Sequence, residues 1–311
     1  MLYLIGAGYM ASEYAKVLSA MDMEFQIVGR SEVRVAGLSN DYGVAGYSGG
    51  VESFVQKNSN FDDDSAIVCT PCETLSDITL QLLNAGFKKI LLEKPGALSI
   101  HDLEKIKSNS EVNNALVQIG YNRRFYQATI ELRNRLKNEE LIAANFEITE
   151  WAHIVEKEVC ASEVKQKWVY SNTSHVIDLV QYIAGSFVDL SVYNSGSLSW
   201  HSSSSRFVGA GKTQCGVLVS YCGYWDGPGR WSAEFVTTEN RYILRPMEKL
   251  QVQQKGSVAI QPCQDVNYQL DEKFKPGIYM QVESFLGAGE GLCSIASQIA
   301  SFRTFSKIAR Y

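Results

Sequence analysis

Leu2-Tyr3-Leu4-Ile5-Gly6-Ala7-Gly8-Tyr9-Met10-Ala11 opens the chain and decides its fold. Four apolar residues make a short strand. Gly6 permits a sharp exit from it, Gly8 lets the backbone approach a phosphate closely, and Ala11 allows a helix to pack tightly on the strand. The N-terminus of that helix brings free N–H groups and partial positive charge. A glycine pair alone is weak evidence. Here a strand precedes it, and Met10, Tyr14, Val17 and Leu18 continue it at helical spacing, which is the context of a dinucleotide-binding loop.

Outward from this loop, strands and helices alternate. Strands are expected at Phe25–Val28, Val44–Tyr47, Ala66–Cys69, Ile90–Leu92 and Ala115–Ile119. Helices are expected near Val51–Lys57, over Leu75–Ala85 with Gly86 as its stop, and from Ser99 through Ile106 with Asp102 in a capping-box-like start. Repeated βα units imply a doubly wound parallel sheet over residues 1–120. After Gly120 the pattern changes. Helices are expected at Phe125–Leu136 and Thr173–Ala184, and strands at Ala143–Ile148, Val188–Tyr193, Cys215–Tyr221, Ala233–Thr237, Tyr242–Leu244 and Leu250–Gln253. Strands in a row indicate an antiparallel α+β domain over 121–311, closed by a helix at Leu292–Ile308.

With 311 residues, 45% of them hydrophobic and 20% charged, the chain has the size and composition of a two-domain globular protein. A net charge of −5 gives no electrostatic reason to expect nucleic acid or an anionic membrane as partner. No signal peptide and no spanning apolar run is evident. Seven scattered cysteines suit a reducing cytoplasm better than a disulfide framework. Cys69-Thr70-Pro71-Cys72 has redox-motif spacing, but it leaves a strand rather than opening a helix, so a core thiol followed by a turn is the better reading. His101, His153, His175 and His201 show no metal-ligand spacing, and no metal is expected.

The ribose-recognition position falls at the end of the second strand, Ile27-Val28-Gly29-Arg30-Ser31. Gly29 offers no carboxylate to repel a 2′-phosphate, and Arg30 and Ser31 can bind one, with Arg34 in support. The other reading of Arg30 is adenine stacking or a solvated charge. The expectation is NADP(H) in preference to NAD(H), held by Gly6, Gly8, Tyr9, Met10, Ala11, Gly29, Arg30 and Ser31.

Four segments in order, the Gly6 fingerprint, Cys69-Thr70-Pro71, Glu93-Lys94-Pro95 and Gly120-Tyr121-Asn122-Arg123-Arg124-Phe125, give the chain a resemblance to the Gfo/Idh/MocA oxidoreductases along nearly its whole length. The resemblance implies a Rossmann domain followed by a domain on a large open, mainly antiparallel sheet. It implies nicotinamide-dependent redox chemistry on a sugar, sugar acid or nucleotide sugar, in a homodimer or homotetramer formed through that sheet. It adds Thr70, Pro71, Glu93, Lys94 and Asn122 to the cofactor contacts.

Lys94 matches the family's active-site lysine, whose ammonium can stabilise developing alkoxide character on the substrate. His175 matches the family's histidine, an imidazole able to give or take the substrate proton. These two are the expected catalytic pair, set between the domains. Arg123 and Tyr170 join Lys94 and His175 as expected substrate contacts. One of Arg123 and Arg124 is expected to anchor an anionic group and the other to be structural. Lys165, Lys167, Trp168 and Tyr170 form either a cationic, aromatic wall for the substrate or a solvated charge run beside a core tryptophan. Asp178 either orients His175 or serves packing. One departure stands out: many members carry Asp four residues before the histidine and Gly two before, where this chain has Ser171 and Thr173. Two other readings share the scaffold: a reductase of a non-sugar carbonyl or imine-like metabolite, as in biliverdin reductases, and an NADP(H)-sensing regulator without turnover.

Overall fold

The computed structural model describes residues 1–59 and 61–311, and the chain divides into two compact units. The first holds Met1–Asn122 and Ile278–Ile299, and the second Arg123–Gly277 and Ala300–Tyr311. The domain expected over 121–311 is therefore interrupted, because a later stretch packs with the N-terminal unit.

In the first unit, β1 (Leu2–Ile5), α1 (Tyr9–Ala20), β2 (Phe25–Val28), α2 (Glu32–Tyr42), β3 (Gly46–Tyr47), α3 (Gly50–Lys57), β4 (Ser65–Val68), α4 (Leu75–Ala85), β5 (Lys89–Glu93), α5 (Ile100–Val112) and β6 (Leu116–Gly120) alternate. β3, β2, β1, β4, β5 and β6 lie side by side in that order, all parallel. Strand order reverses between β1 and β4, where such sheets open a crevice at their carboxyl ends. Ala66, Ile67 and Val68 of β4 and Ile90, Leu91 and Leu92 of β5 are fully buried, which is why these strands read as continuous apolar runs. The helix boundaries follow local chemistry. Ser99 accepts from the Asp102 N–H at 3.1 Å and donates to its carboxylate at 2.7 Å, and Gly86 ends α4 at φ 112°.

The second unit contains α6 (Gln127–Leu136), β7 (Leu141–Glu147), α7 (Ala152–Val155), α8 (Ser162–Gln166), α9 (Ser174–Ala184), β8 (Phe187–Ser195), β9 (Arg206–Thr213), β10 (Leu218–Tyr224), β11 (Ser232–Thr237), β12 (Asn240–Leu244), β13 (Leu250–Gln254), β14 (Gln261–Pro262) and α10 (Gln269–Lys273). Its eight strands form one open sheet in the order β14-β13-β12-β11-β7-β10-β9-β8, antiparallel except for the β7–β10 pair. One face is apolar (Ala144, Phe146, Val219, Tyr221, Ala233, Phe235), and α9 packs on β7 and β11 with Val176, Ile177, Leu179 and Val180 fully buried. On other strand positions Tyr193, Val208 and Cys222 pair in register, and Tyr193 and Val208 are exposed.

The chain then returns to the first unit. α11 (Ile278–Leu286) buries Ile278, Val282 and Phe285, a stripe at helical spacing, and packs on α1. β15 (Cys293–Ser294) adds an antiparallel edge beyond β6. α12 (Ile295–Ala309) begins in the first unit and ends in the second. Among the described residues no helix is long and apolar enough to cross a membrane.

Candidate functional site

A cleft of about 370 Å³ opens where β1, β2 and β4 end, lined by Gly6, Ala7, Gly8, Tyr9 and Met10, by Gly29, Arg30, Ser31 and Arg34, and by Cys69, Thr70 and Pro71. Every position expected from the fingerprint, the end of β2 and the Thr70-Pro71 turn meets here except Ala11, which lies fully buried beneath in α1. The backbone explains the glycines. Gly6 sits at φ 128°, and a Cβ there would come within 2.9 Å of the Cys69 carbonyl oxygen. A Cβ on Gly8 would meet nothing within 4 Å, so its open side faces free space. No side chain caps the start of α1, which leaves its N–H groups to an anion. These features fit a dinucleotide pyrophosphate.

At the end of β2, Ser31 caps α2 by accepting the Arg34 N–H at 3.4 Å. Arg30 and Arg34 are exposed, and no Asp or Glu lines the cleft among the described residues. Neither Cys69 nor Cys72 is in a disulfide. Burial, and then the nearby Glu93 carboxylate, push the Cys69 thiol well above its ordinary range, which disfavours the reactive thiolate form.

Glu93 ends β5 in the same sheet, and its carboxylate accepts from the buried Tyr14 hydroxyl at 2.5 Å. Gln281 of α11 donates to the same hydroxyl at 2.7 Å. Glu93 is thus built into the packing of the unit, and Lys94, partly exposed, follows at the strand's carboxyl end. The Lys94–Pro95 bond is cis. The Pro95 carbonyl and the Tyr121 hydroxyl accept from Gln298 at 2.9 and 3.0 Å. Asn122 is buried at the end of this unit.

In the second unit His175 lies in the first turn of α9, 6% exposed, with its ring 6.2 Å from that of Trp231. A π-helical turn at Val169–Thr173 leads into α9. Arg124 grips Asp178 with two hydrogen bonds of 2.8 and 2.6 Å, so Asp178 serves this buried pair. Tyr170, expected among the substrate contacts, is turned into the core. It is buried, stacks on Phe302 at 4.3 Å and shares a 2.6 Å hydrogen bond with Ser306, because its ring completes the core under α12. Trp168 is also buried, edge-on to Trp200, and the Lys165 ammonium donates to the Glu156 carbonyl at 2.8 Å. Lys167 does meet the aromatic residues here, its ammonium 5.7 Å from the centre of the Tyr170 ring and 4.5 Å from that of Tyr311.

Glu150, unnoticed in the sequence, is 1% exposed. It accepts from Thr173 at 2.7 Å, from Asn172 at 3.1 Å and from Arg230 at 3.4 Å. Burial pushes its carboxyl up to about 7, against the pull of Thr173 and Arg230. Nothing but a lone Glu after a strand announced it. The stretch from Trp225 to Trp231 divides: Trp225 is core, donating to the Ile148 carbonyl at 2.9 Å, while Trp231 borders an arginine-lined cleft. Among the described residues no group of three or more His, Cys, Asp or Glu is placed to hold a metal ion.

Residues 2–121 match the family profile described as oxidoreductase family, NAD-binding Rossmann fold. No curated protein matches the chain. Among solved structures, an oxidoreductase from Agrobacterium radiobacter in complex with NAD+, L-tartaric acid and magnesium superposes with a TM-score of 0.80 at 14% identity, over 99% of this chain and 93% of its own. The WlbA dehydrogenase from Bordetella pertussis, in complex with NADH and UDP-GlcNAcA, gives 0.79 at 12% identity, covering 99% and 94%. A levoglucosan dehydrogenase in complex with NADH gives 0.79 at 16% identity, covering 99% and 95%. At such identities the likeness is one of fold. The profile match identifies residues 2–121 as an NAD-binding Rossmann domain of the Gfo/Idh/MocA type.

Proposed function

We propose that the protein is an NADP(H)-preferring oxidoreductase that moves a hydride between the cofactor and a sugar-like alcohol or carbonyl. One observation carries this reading: a glycine-lined cleft with an uncapped helix N-terminus and two exposed arginines, in a sheet whose β5 ends on Glu93 and is followed at once by Lys94. Bound nicotinamide supplies the hydride acceptor or donor. The chain's own residues do the rest. Backbone N–H groups of Tyr9, Met10 and Ala11 hold the pyrophosphate. Arg30, Ser31 and Arg34 hold the 2′-phosphate, with no carboxylate in the cleft to oppose it. Lys94 donates to the reacting oxygen and stabilises negative charge there. His175 accepts the hydroxyl proton in oxidation and returns it in reduction. Thr70, Pro71 and Asn122 complete the cofactor contacts.

The sugar-like substrate is supported by the company this fold keeps: the WlbA structure holds UDP-GlcNAcA, and another neighbour is a levoglucosan dehydrogenase. The second unit provides the substrate contacts. Exposed Tyr193, Val208, Leu218 and Tyr224 on its sheet suit self-association as a dimer or tetramer. Seven cysteines outside any disulfide suit the cytoplasm. The experiment is a titration with NADPH and NADH followed by a panel of sugars, sugar acids and nucleotide sugars with NADP+. Tighter NADPH binding and reduction of NADP+ by a member of the panel are expected. Equal binding of the two cofactors removes the NADP(H) preference. Turnover only with non-sugar carbonyls or imines removes the substrate class.

A further inference from the structure

In the second unit the ends of β7 and β12 and the start of β11 border a cleft of about 440 Å³. Arg123, Arg230 and Arg245 gather there around Trp231. The guanidinium carbons of Arg123 and Arg230 each lie 4.6 Å from the centre of the indole, which is 5% exposed. Two of the arginines already have carboxylates. Arg245 donates to Glu147 at 3.1 Å and Arg230 to Glu150 at 3.4 Å. Arg123 has none. Among the described residues its guanidinium makes no hydrogen bond or ion pair, and its Nε is buried without an acceptor.

A partly buried guanidinium without an acceptor loses hydration that stacking on an indole offsets only in part. A carboxylate or phosphoryl group removes the deficit, because the planar fork donates to two oxygens at once. Glu248 also lines the cleft and makes no ion pair with these arginines. Its charge disfavours a ligand that is anionic throughout and favours one anionic group on a neutral body. Trp231 links the cleft to the chemistry, since the His175 ring lies 6.2 Å from it.

We propose that this cleft holds a carboxylate or phosphoryl group carried by the substrate, with Arg123 as its principal ligand and Arg230 and Arg245 in support. The proposal rests on the oxidoreductase reading and narrows its substrate to an anionic sugar. A neutral sugar leaves Arg123 unsatisfied, and an anionic one does not.

The test is calorimetric titration of the whole protein with D-glucose, D-glucuronate and D-glucose 6-phosphate, alongside NADP+ reduction by the same compounds. At least one anionic sugar is expected to bind roughly tenfold or more tightly than glucose, and which one separates carboxylate from phosphate. Arg123→Gln and Arg123→Lys are expected to weaken that binding by about 10- to 100-fold, the loss typical of a broken charge-assisted pair. Glucose and NADPH affinities should stay as they were, which shows that both variants fold. Equal affinity for the three sugars, no measurable affinity for the anionic pair, or an equal loss for glucose in the variants overturns the proposal. Arg123-dependent anion binding without any turnover would keep this site and remove the oxidoreductase reading. Turnover of neutral and anionic sugars with equal KM would do the reverse.

Discussion

Thr173 donates its hydroxyl hydrogen to Glu150 across 2.7 Å, and this contact sets a buried carboxylate beside the turn that leads into His175. Where the family resemblance leads one to expect Asp, four residues before the histidine, stands Ser171, and its hydroxyl is turned to the Val164 and Trp168 carbonyls. The carboxylate of this region comes instead from Glu150, just past the end of β7. Burial raises its carboxyl to about 7, so its charge changes near neutral pH.

The consequence for stability has a definite sign. A folded-state value of about 7 lies above the ordinary 4.5, so the folded protein holds the extra proton between these values. Stability contributed by the protonated form is present below about 4.5 and is lost as pH rises through about 7. Urea midpoints of wild type and Glu150→Gln should therefore diverge as pH rises from about 4.5 to 7, the variant gaining on the wild type. A difference that does not change with pH contradicts the burial argument.

Arg124 and Asp178 form a two-bond pair whose side chains are 10% and 1% exposed. Removing one partner strands the other charge, at a cost of about 3–5 kcal/mol. Asp178→Ala should lose that much in denaturant unfolding, while Arg124→Met with Asp178→Leu loses far less. NADPH affinity should not change in either. Equal losses in the single and double variants would count against the pair.

The exposed arginines at the end of β2 make a cofactor prediction. Arg30→Ala should weaken NADPH binding by roughly 10- to 100-fold, the worth of a charge-assisted hydrogen bond. NADH binding should be unchanged. Parallel losses for the two cofactors would return Arg30 to adenine stacking.

Lys94→Ala should lower turnover by about two orders of magnitude or more at nearly constant cofactor affinity. His175→Ala should cost on the order of 10² to 10⁴. Steady-state rates at saturating cofactor decide both, and wild-type turnover in either variant removes that residue from the chemistry.

The parallel sheet was legible because its strands are buried on both faces and punctuated by glycines. β1, β2 and α4 have the bounds their residues imply. α2 was not legible, because it buries only Val35 and Leu38 and carries Gly37 in its middle. β9 hid because, along Arg206–Thr213, only Phe207 and Thr213 turn inward and two glycines interrupt the pattern. α11 is a clear amphipathic helix, but nothing local says that it belongs with residues more than two hundred positions earlier, where Gln281 meets Tyr14. A two-residue edge strand such as β15 has no periodicity to read. The positions that line the cleft of the first unit were legible because they sit at strand ends or a helix start, whereas Glu93, Lys94 and Asn122 are not among its lining. The arginine cleft was not: Arg123, Arg230 and Arg245 come from three distant segments that only the sheet brings together.

The most direct test of the account uses NADPH deuterated at the transferable C4 position and a panel of keto-sugars, with the product analysed by mass spectrometry and NMR. The account predicts deuterium on the carbon of the newly formed alcohol in the wild type, and its near disappearance in the Lys94→Ala, His175→Ala double variant. Deuterium that stays on the cofactor with every compound, or full transfer in the double variant, would contradict it.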